Sequence, residues 1–161
     1  MKALIIILYM CAFRMTSSLA FSLNPSKSTA LVTGSTDGIG LTTAKNIAAK
    51  GYNVIVHGRS KERIEKALDA VCSFDQGISR DKIFSVQSDI STVQGCKELV
   101  YSVQSILQSN GLTLDVIMNN AGVFEENYHV TEDNLEMTFA VNVMAPWLIT
   151  SNLLPNLLAP K

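Results

Sequence analysis

The stretch Thr33-Gly34-Ser35-Thr36-Asp37-Gly38-Ile39-Gly40 lies between a short apolar run and a segment with helical spacing of its apolar residues. Glycine has no side chain and tolerates positive φ, so this loop can turn tightly and let a ligand approach the backbone. At a helix N-terminus, such a loop suits a pyrophosphate. The placement favours a dinucleotide-binding loop over a plain tight turn. Because no Gly-Lys-Ser/Thr ending follows, the sequence argues against a P-loop.

Around this loop, short apolar runs start about 25 to 30 residues apart, which is the length of a βαβ unit. Their near-continuous apolar character is typical of strands that are covered on both faces. This alternation predicts an α/β fold with a doubly wound parallel sheet. The runs are Ala30 to Val32, Val54 to Val56, Ile83 to Val86 and Leu114 to Met118.

Segments with helical spacing separate the runs. Gly51 is the expected stop of the first helix, Ser91-x-x-Gln94 predicts a capping box at the start of the third, and a fourth is predicted to begin at Thr131. Glu132 and Asp133 would then lie in its first turn, where the helix dipole favours acidic residues. The three apolar stripes are Ala44, Ile47 and Ala48; Ile64, Ala67, Leu68, Val71 and Cys72; and Val93, Cys96, Leu99, Val100, Val103 and Ile106.

Composition bounds the class of protein. The 161 residues suffice for one domain, with 47% hydrophobic residues, 17% charged residues and a formal net charge of -1. This balance gives no support to nucleic-acid binding, which needs a basic face, or to a disordered chain. The three cysteines form no CxxC pair and no zinc-type spacing, so we interpret the two beyond the N-terminal segment as core residues and expect no metal site.

The N-terminus has the pattern of a targeting segment. Lys2 precedes an apolar run that Arg14 ends, and small residues follow at Ser18 and Ala20. The run is about half the length needed to span a bilayer, so residues 1–20 are predicted to be a cleavable signal peptide and residues 21–27 a linker or short transit segment. An uncleaved anchor in the endoplasmic reticulum membrane is the alternative. The Ala20-Phe21 junction also resembles plastid-targeting presequences of algae with secondary plastids, which enter through the secretory route.

Residues at the ends of later runs fit the recognition of a nucleotide. Arg59 lies 19 residues after Gly40, where an acidic residue would otherwise bind a ribose 2′-hydroxyl. An arginine there can pair with a 2′-phosphate, which favours NADP over NAD, although a solvated arginine at a helix start is the alternative. Asp89 follows the third run and Asn119 to Gly122 follow the fourth, at the strand ends where such folds bind ligands.

Together these residues resemble the short-chain dehydrogenase/reductase family, and the stretch from Thr131 to Val143 is most similar to its retinol-dehydrogenase-like branch. The resemblance implies a Rossmann-type domain over residues 28–161, here an incomplete one with four strands in the order 3-2-1-4. It implies that Asp89 contacts adenine and that Asn119 to Gly122 steady the sheet and line the cofactor. The cofactor-binding positions that it implies are Gly34, Ser35, Thr36, Gly38, Ile39, Gly40, Arg59, Asp89, Ile90, Asn120, Ala121 and Gly122.

The family's active-site asparagine falls on Asn142. Spacings of four and three place it on one apolar face with Leu135, Phe139, Pro146, Ile149 and Leu153. Because Pro146 has no N–H, it cannot bond the Asn142 carbonyl, which leaves that carbonyl able to hold a water of the family's proton relay. The alternative is a core asparagine beside a helix kink.

The family's catalytic Tyr-x-x-x-Lys pair and its preceding serine have no match in this sequence. Four residues after the tyrosines stand Phe13, Val56, Ser105 and Glu132. We therefore expect a domain truncated before that pair, which binds cofactor and is inactive alone. The strand from Leu114 to Met118 would then be an exposed edge, which predicts poor solubility.

The leading hypothesis is an NADP-dependent oxidoreductase of EC 1.1.1 type, acting on a lipophilic ketone, aldehyde or alcohol and represented by an incomplete chain. Membrane association through the N-terminus and a homodimer are compatible with it. The alternatives are a non-catalytic nucleotide-binding or regulatory module and a degenerate product.

Overall fold

A computed structural model of the chain describes residues 26–157. The signal peptide expected at residues 1–20 and most of the segment at 21–27 lie outside the described residues. Within these residues, four strands alternate with four helices, and a 3-10 turn precedes the third strand. The elements are β1 Ser28–Val32, α1 Gly38–Ala48, β2 Asn53–Gly58, α2 Lys61–Cys72, the 3-10 turn Arg80–Lys82, β3 Ile83–Gln87, α3 Val93–Asn110, β4 Thr113–Met118 and α4 Met137–Leu157.

The strands form one parallel sheet with the order β3-β2-β1-β4, which confirms the predicted topology. The two central strands, β1 and β2, are buried along their whole length. The prediction that the strands are covered on both faces is wrong for β3 and β4. In these two strands, buried residues are interspersed with partly or fully exposed ones. These two strands lie at the edges, where each has a neighbour on one side only and the helices cover less of the sheet.

Helices cover both faces of the sheet. On one face, α1 and α2 pack against Val32, Val54 and Val56, and on the other, α3 and α4 pack against Leu31 and Ile55. Neighbouring residues of one strand thus enter opposite cores, as strand geometry requires. Because the strands are parallel, all four direct their carboxyl ends to one edge of the sheet, and the loops that follow them meet there.

Two predicted helix starts are wrong. Helix α3 is capped by Thr92 rather than Ser91, because the Thr92 hydroxyl accepts from the Gly95 N–H at 3.0 Å. The fourth helix begins at Met137, six residues after Thr131. The intervening segment is a turn closed by an antiparallel bridge between Val130 and Glu136.

The acidic residues of that turn have a different role from the predicted one. Asp133 accepts a hydrogen bond from the Val93 N–H at 2.6 Å, so it caps α3 instead of opening its own helix. Glu136 is the N-cap of α4, and its carboxylate accepts from the N–H groups of Thr138 and Phe139. A short segment therefore supplies caps to two helices, which fixes the position of the turn.

Helix α4 contains a π-helical turn at Ala140–Met144, in which the Ala145 N–H bonds the Ala140 carbonyl. The extra residue in this turn breaks the regular spacing from which Asn142 was placed on the apolar face. That placement is wrong, because Asn142 is exposed. The buried residues of α4 are Ala140, Val141, Ala145, Ile149 and Leu153.

By length and composition, α4 is also the one helix of the described part that could cross a membrane. The mean hydropathy of its most apolar window is 1.3, and 28% of that window is buried inside the protein. Its buried side packs against α3 and β4.

Of the two described cysteines, Cys96 is buried and Cys72 half-buried, and burial raises the pKa of the Cys96 thiol to about 11.

Candidate functional site

The glycine loop connects β1 to α1 at the carboxyl edge of the sheet. Asp37 caps α1 by accepting from the Gly38 N–H at 2.7 Å, and Gly38 has a φ of 55°. A Cβ built on Gly38 would meet no atom within 4 Å, so this point of the loop faces open space. Ile39 beside it is 61% exposed. The first turn of α1 thus presents an unobstructed surface at the end of the helix that attracts anions.

The other two glycines of the loop are packed against the exit of β4. A Cβ on Gly34 would lie 2.8 Å from the Ala121 Cα, and one on Gly40 would collide with the Asn120 amide and the Gly34 carbonyl. Only hydrogen fits at both positions. The loop and the segment after β4 therefore touch directly, at the Ala121 backbone and at the Asn120 side chain.

Asn120 and Thr33 bind the two segments together. The Asn120 Nδ2 donates to the carbonyls of Thr33 and Gly34, both at 3.0 Å. The Thr33 hydroxyl accepts from the N–H groups of Asn120 and Ala121, both at 3.1 Å. Thr33 is 2% exposed, and sequence reasoning had placed it only as the first residue of the motif.

Ser35 is fully buried, and its hydroxyl has two protein partners. It donates to the Val32 carbonyl at 2.7 Å and accepts from the His57 N–H at 3.0 Å. Its expected contribution to the cofactor site stays a prediction. What the structure places there is a serine that connects the loop to β2.

His57, the residue before the last one of β2, also lies at this edge. It is 3% exposed, and its Nδ1 accepts from the Gly34 N–H at 3.2 Å. Its Nε2 lies 3.2 Å from the Ser88 carbonyl and 3.1 Å from the Ser88 hydroxyl. Burial lowers the pKa of this imidazole to about 4. Its partners lie in the loops after β1 and β3, so spacing within β2 could not reveal them.

Arg59, the residue expected to distinguish NADP from NAD, is exposed just beyond β2. Its carbonyl accepts from the Gln87 Nε2 at 3.2 Å. A Cβ on Gly58 would collide with the Thr36 Cγ2, so the residue before Arg59 touches the glycine loop. The end of β2 and the loop thus form one continuous surface.

A second guanidinium lies on this surface. Arg63, in the first turn of α2, donates to the Asp37 carboxylate at 3.2 Å, and both side chains are largely exposed. Asp37 also accepts from the Gly38 N–H, so its negative charge is stabilised by two hydrogen-bond donors. This pairing offsets the one acidic group of the glycine loop.

Asp89 and Ile90 follow β3 at the same edge. Asp89 is exposed, and its carboxylate accepts from the Ser91 N–H at 3.0 Å. Ile90 is 7% exposed and belongs to the core beneath it. The structure therefore brings Asp89 to the edge that carries the glycine loop and places Ile90 under it.

Asn142 meets the segment after β4 from the other side. Its Oδ1 accepts from the Val123 N–H at 2.9 Å, and its Nδ2 donates to the Val123 carbonyl at 2.8 Å. The backbone of one residue thus satisfies both ends of the amide. A Cβ on Gly122 would lie 3.3 Å from the Asn142 Oδ1. Asn142 accordingly fixes the segment that also touches the glycine loop.

Within residues 26–157, no group of three or more histidine, cysteine, aspartate or glutamate side chains is arranged to hold a metal ion. The edge instead combines backbone N–H groups, amides, hydroxyls and exposed guanidinium groups. This donor set suits an anionic organic ligand with hydroxyl groups.

Comparison with known proteins finds dehydrogenases and reductases among the similar relatives. The chain is 37% identical over 130 residues to a short chain dehydrogenase/reductase of Colletotrichum higginsianum, covering 81% of this chain and 31% of the relative. It is 34% identical to human retinol dehydrogenase 14, covering 78% of this chain and 39% of the relative. The chain thus spans about a third to two fifths of the length of these two relatives.

The fold agrees with solved structures. A short-chain dehydrogenase/reductase of Caenorhabditis elegans, solved with cofactor, matches with a TM-score of 0.67 and 32% identity, over 83% of this chain and 49% of that one. The family model for short chain dehydrogenases matches residues 28–161. This chain therefore belongs to the short-chain dehydrogenase/reductase family.

Proposed function

We propose that the described domain binds NADP at the carboxyl edge of its sheet, as the cofactor-binding part of an oxidoreductase. The observation that carries the proposal is Gly38, which leaves open space above the first turn of α1. A pyrophosphate there would meet the positive end of the helix without a side chain in its way. Gly34, Gly40, Asn120, Ala121 and Gly122 then shape the surface beside it.

The preference for NADP over NAD rests on charge. Arg59 is exposed and directly follows Gly58, which touches Thr36. No carboxylate occupies the position of Arg59 to accept from a ribose 2′-hydroxyl. The carboxylate of Asp37 is paired with Arg63, which reduces its repulsion of a 2′-phosphate. A guanidinium suits such a phosphate because it donates several hydrogen bonds in a fixed plane. Asp89 is assigned to the adenine end of the same site.

The reaction class that we propose is hydride transfer of EC 1.1.1 type between the cofactor and a lipophilic ketone, aldehyde or alcohol. Similarity to a retinol dehydrogenase supports the lipophilic character of the substrate. When bound, the nicotinamide would supply or accept the hydride. Asn142 holds the segment after β4 by its two bonds to Val123, and we assign it the positioning role of the family's asparagine.

Proton transfer needs a further group. No tyrosine of this sequence has a lysine four residues later, so we propose that these 161 residues bind cofactor without catalysing the reaction alone. A non-catalytic nucleotide-binding or regulatory module is the alternative, and a degenerate product is a third. Binding of NADPH would distinguish the cofactor-binding part of an oxidoreductase and the nucleotide-binding module from a degenerate product, which would not bind it.

We further propose entry into the secretory pathway through residues 1–20, continuing to a plastid or to the endoplasmic reticulum membrane. The basic, apolar and small-residue order of that segment supports this targeting. Exposed apolar side chains on α4, Val143 and Trp147 among them, are compatible with association with a membrane or with a second copy of the chain.

A matched pair of glycine variants tests the binding site. Gly38→Trp places an indole in the proposed pyrophosphate position. Gly111→Trp is the control, because Gly111 also has a left-handed φ, of 60°, and also has no atom within 4 Å of a built Cβ. Gly111 ends α3 at the opposite edge of the sheet. We expect NADPH fluorescence titration to show loss of binding for Gly38→Trp and retained binding for Gly111→Trp; unchanged binding in both would refute the placement.

A further inference from the structure

His57 joins three of the four strand exits through one buried side chain. Its ring contacts Gly34 in the loop after β1 and Ser88 after β3, and its backbone N–H donates to the Ser35 hydroxyl. Its own carbonyl accepts from the Ser35 N–H at 3.0 Å. The ring is therefore held on both sides, and neither nitrogen faces solvent.

These contacts determine which nitrogen carries the proton. The Gly34 N–H can only donate, so Nδ1 must accept and carries no hydrogen. In the neutral ring the proton is then on Nε2, which donates to the Ser88 carbonyl or hydroxyl. A second proton on Nδ1 would set two donors against each other between His57 and Gly34.

Gly34 is the residue whose orientation this contact controls. Its φ of 61° is left-handed, and its carbonyl is held by the Asn120 Nδ2 at 3.0 Å. Its N–H is held by His57. With both ends of Gly34 fixed, the direction of the chain that leads to Gly38 is fixed as well.

We propose that His57, in its Nε2–H tautomer, is a positioning residue for the cofactor: it orients Gly34 and so shapes the loop that receives the pyrophosphate. The inference rests on the proposed function. It assigns the specific contribution to one atom, Nδ1, which accepts from the loop, whereas Nε2 anchors the ring to β3.

The protonation state supports this role. Burial lowers the pKa of His57 to about 4, and the hydrogen bond to the Ser88 backbone and the charge of Asp89 offset only part of that lowering. Asp89 is the charged group that acts on the ring, and Ser35 and Ser88 are its uncharged polar neighbours. The ring is therefore neutral at physiological pH, and the acceptor at Nδ1 persists.

The tautomer is directly measurable in the full chain. His57 and His129 are its only two histidines, and His129→Gln identifies the resonances of each. We expect nitrogen NMR of the histidine-labelled protein to show His57 with a bare Nδ1 and a protonated Nε2, with no titration near pH 6.5. A proton on Nδ1, or a titration near that pH, overturns the inference regardless of how any variant folds.

Two substitutions separate the ring nitrogens. In His57→Asn the amide oxygen falls near Nδ1 and can still accept from Gly34, whereas in His57→Gln the amide nitrogen falls near Nε2 and keeps the contact to Ser88. Each variant loses one contact. We expect His57→Asn to bind NADPH like the unmodified chain and His57→Gln to bind about tenfold more weakly, as loss of an acceptor for a buried N–H implies.

The same titrations distinguish the two levels of the argument. If the unmodified chain binds NADPH and the Gln variant binds as well as the Asn variant, the positioning role is wrong and the proposed function stands. If the unmodified chain binds no NADPH, the proposed function fails and this inference fails with it. Thermal unfolding of both variants without cofactor shows whether a difference in binding merely follows a difference in stability.

Discussion

Asn120 and Thr33 hold each other through reciprocal hydrogen bonds. The Asn120 side chain donates to the Thr33 carbonyl at 3.0 Å, while the Thr33 hydroxyl accepts from the Asn120 N–H at 3.1 Å. Neither bond belongs to the ladder of the sheet, yet they join the ends of β1 and β4. The geometry of the glycine loop consequently depends on Asn120, which lies 87 positions after Thr33 in the sequence.

Removing the Asn120 amide should destabilise the fold. Asn120→Ala leaves the carbonyls of Thr33 and Gly34 without their donor, and we expect the free energy of unfolding to fall by about 2 kcal/mol. Asn119→Ala is the matched control, because Asn119 is exposed and donates only to the Thr150 hydroxyl. Urea unfolding of both variants measures the difference; equal losses would show that Asn120 is no more than a surface amide.

The choice of cofactor should depend on Arg59. In Arg59→Ala we expect NADPH to bind about ten- to a hundredfold more weakly, because a charge-assisted contact to the 2′-phosphate is lost, with little change for NADH. Lys66→Ala also removes an exposed positive charge, but from a position further along α2, and serves as the control. Parallel titrations with both cofactors test this, and equal weakening of NADPH and NADH binding would contradict the assigned role.

Asn142 should control the order of the segment after β4. Asn142→Ala removes both hydrogen bonds to the Val123 backbone, so we expect faster amide hydrogen exchange at Val123 and its neighbours. Asn152→Ala, on the same helix, removes one exposed bond to the Leu148 carbonyl and should leave Val123 unchanged. Exchange at Val123 that is slow in both variants would mean that other contacts hold this segment.

The cap of α4 should make stability depend on pH. Hydrogen bonds from the Thr138 and Phe139 N–H groups lower the pKa of Glu136 below its ordinary value of 4.5. The carboxylate therefore stabilises the fold fully above that value, and the stabilisation is lost as the pH falls through the lowered pKa. We expect Glu136→Gln to lower the unfolding temperature near neutral pH and the difference to shrink under acid. A difference that stays constant, or one matched by Glu132→Gln, would refute the cap's contribution.

The exposed strand edge should promote self-association. β4 has a neighbour on one side only, and Val116 on it is 39% exposed. We expect the 161-residue chain to associate at micromolar concentration and Val116→Lys to reduce this, because a charge on an edge strand disfavours strand addition. Tyr101→Lys alters a more exposed apolar residue on α3 and serves as the control. Sedimentation velocity decides, and a monodisperse monomer from the unmodified chain would show the prediction wrong.

Sequence reasoning reached the sheet and the glycine loop because these depend on local patterns. The apolar runs at βαβ spacing predicted four parallel strands joined by helices. The family resemblance predicted the order of the strands in the sheet. The loop from Thr33 to Gly40 was recognisable since tight turns limit the residue types allowed. The apolar spacing of a strand and the residue types of a tight turn are set within one segment, so the sequence of that segment reveals them.

The rest depended on contacts between distant segments. Thr131 looked like a helix start, but a bridge between Val130 and Glu136 and the contact of Asp133 with Val93 hold it in a turn. The π-helical turn moved Asn142 off the buried face, which regular spacing could not show. The hydrogen-bond partners of His57 lie in the loops after β1 and β3, so no periodicity within β2 predicted them.

The hydrogen bonds formed by Thr33, His57, Ser88 and Asn120 have a consequence for ligand binding. Each bond joins the carboxyl ends of two different strands or the loops that follow them, so one loop can open only if its hydrogen bonds to its neighbours break. The receiving surface is thus shaped before any ligand arrives. Association then orders few additional backbone torsions, and more of the contact energy is expressed as affinity.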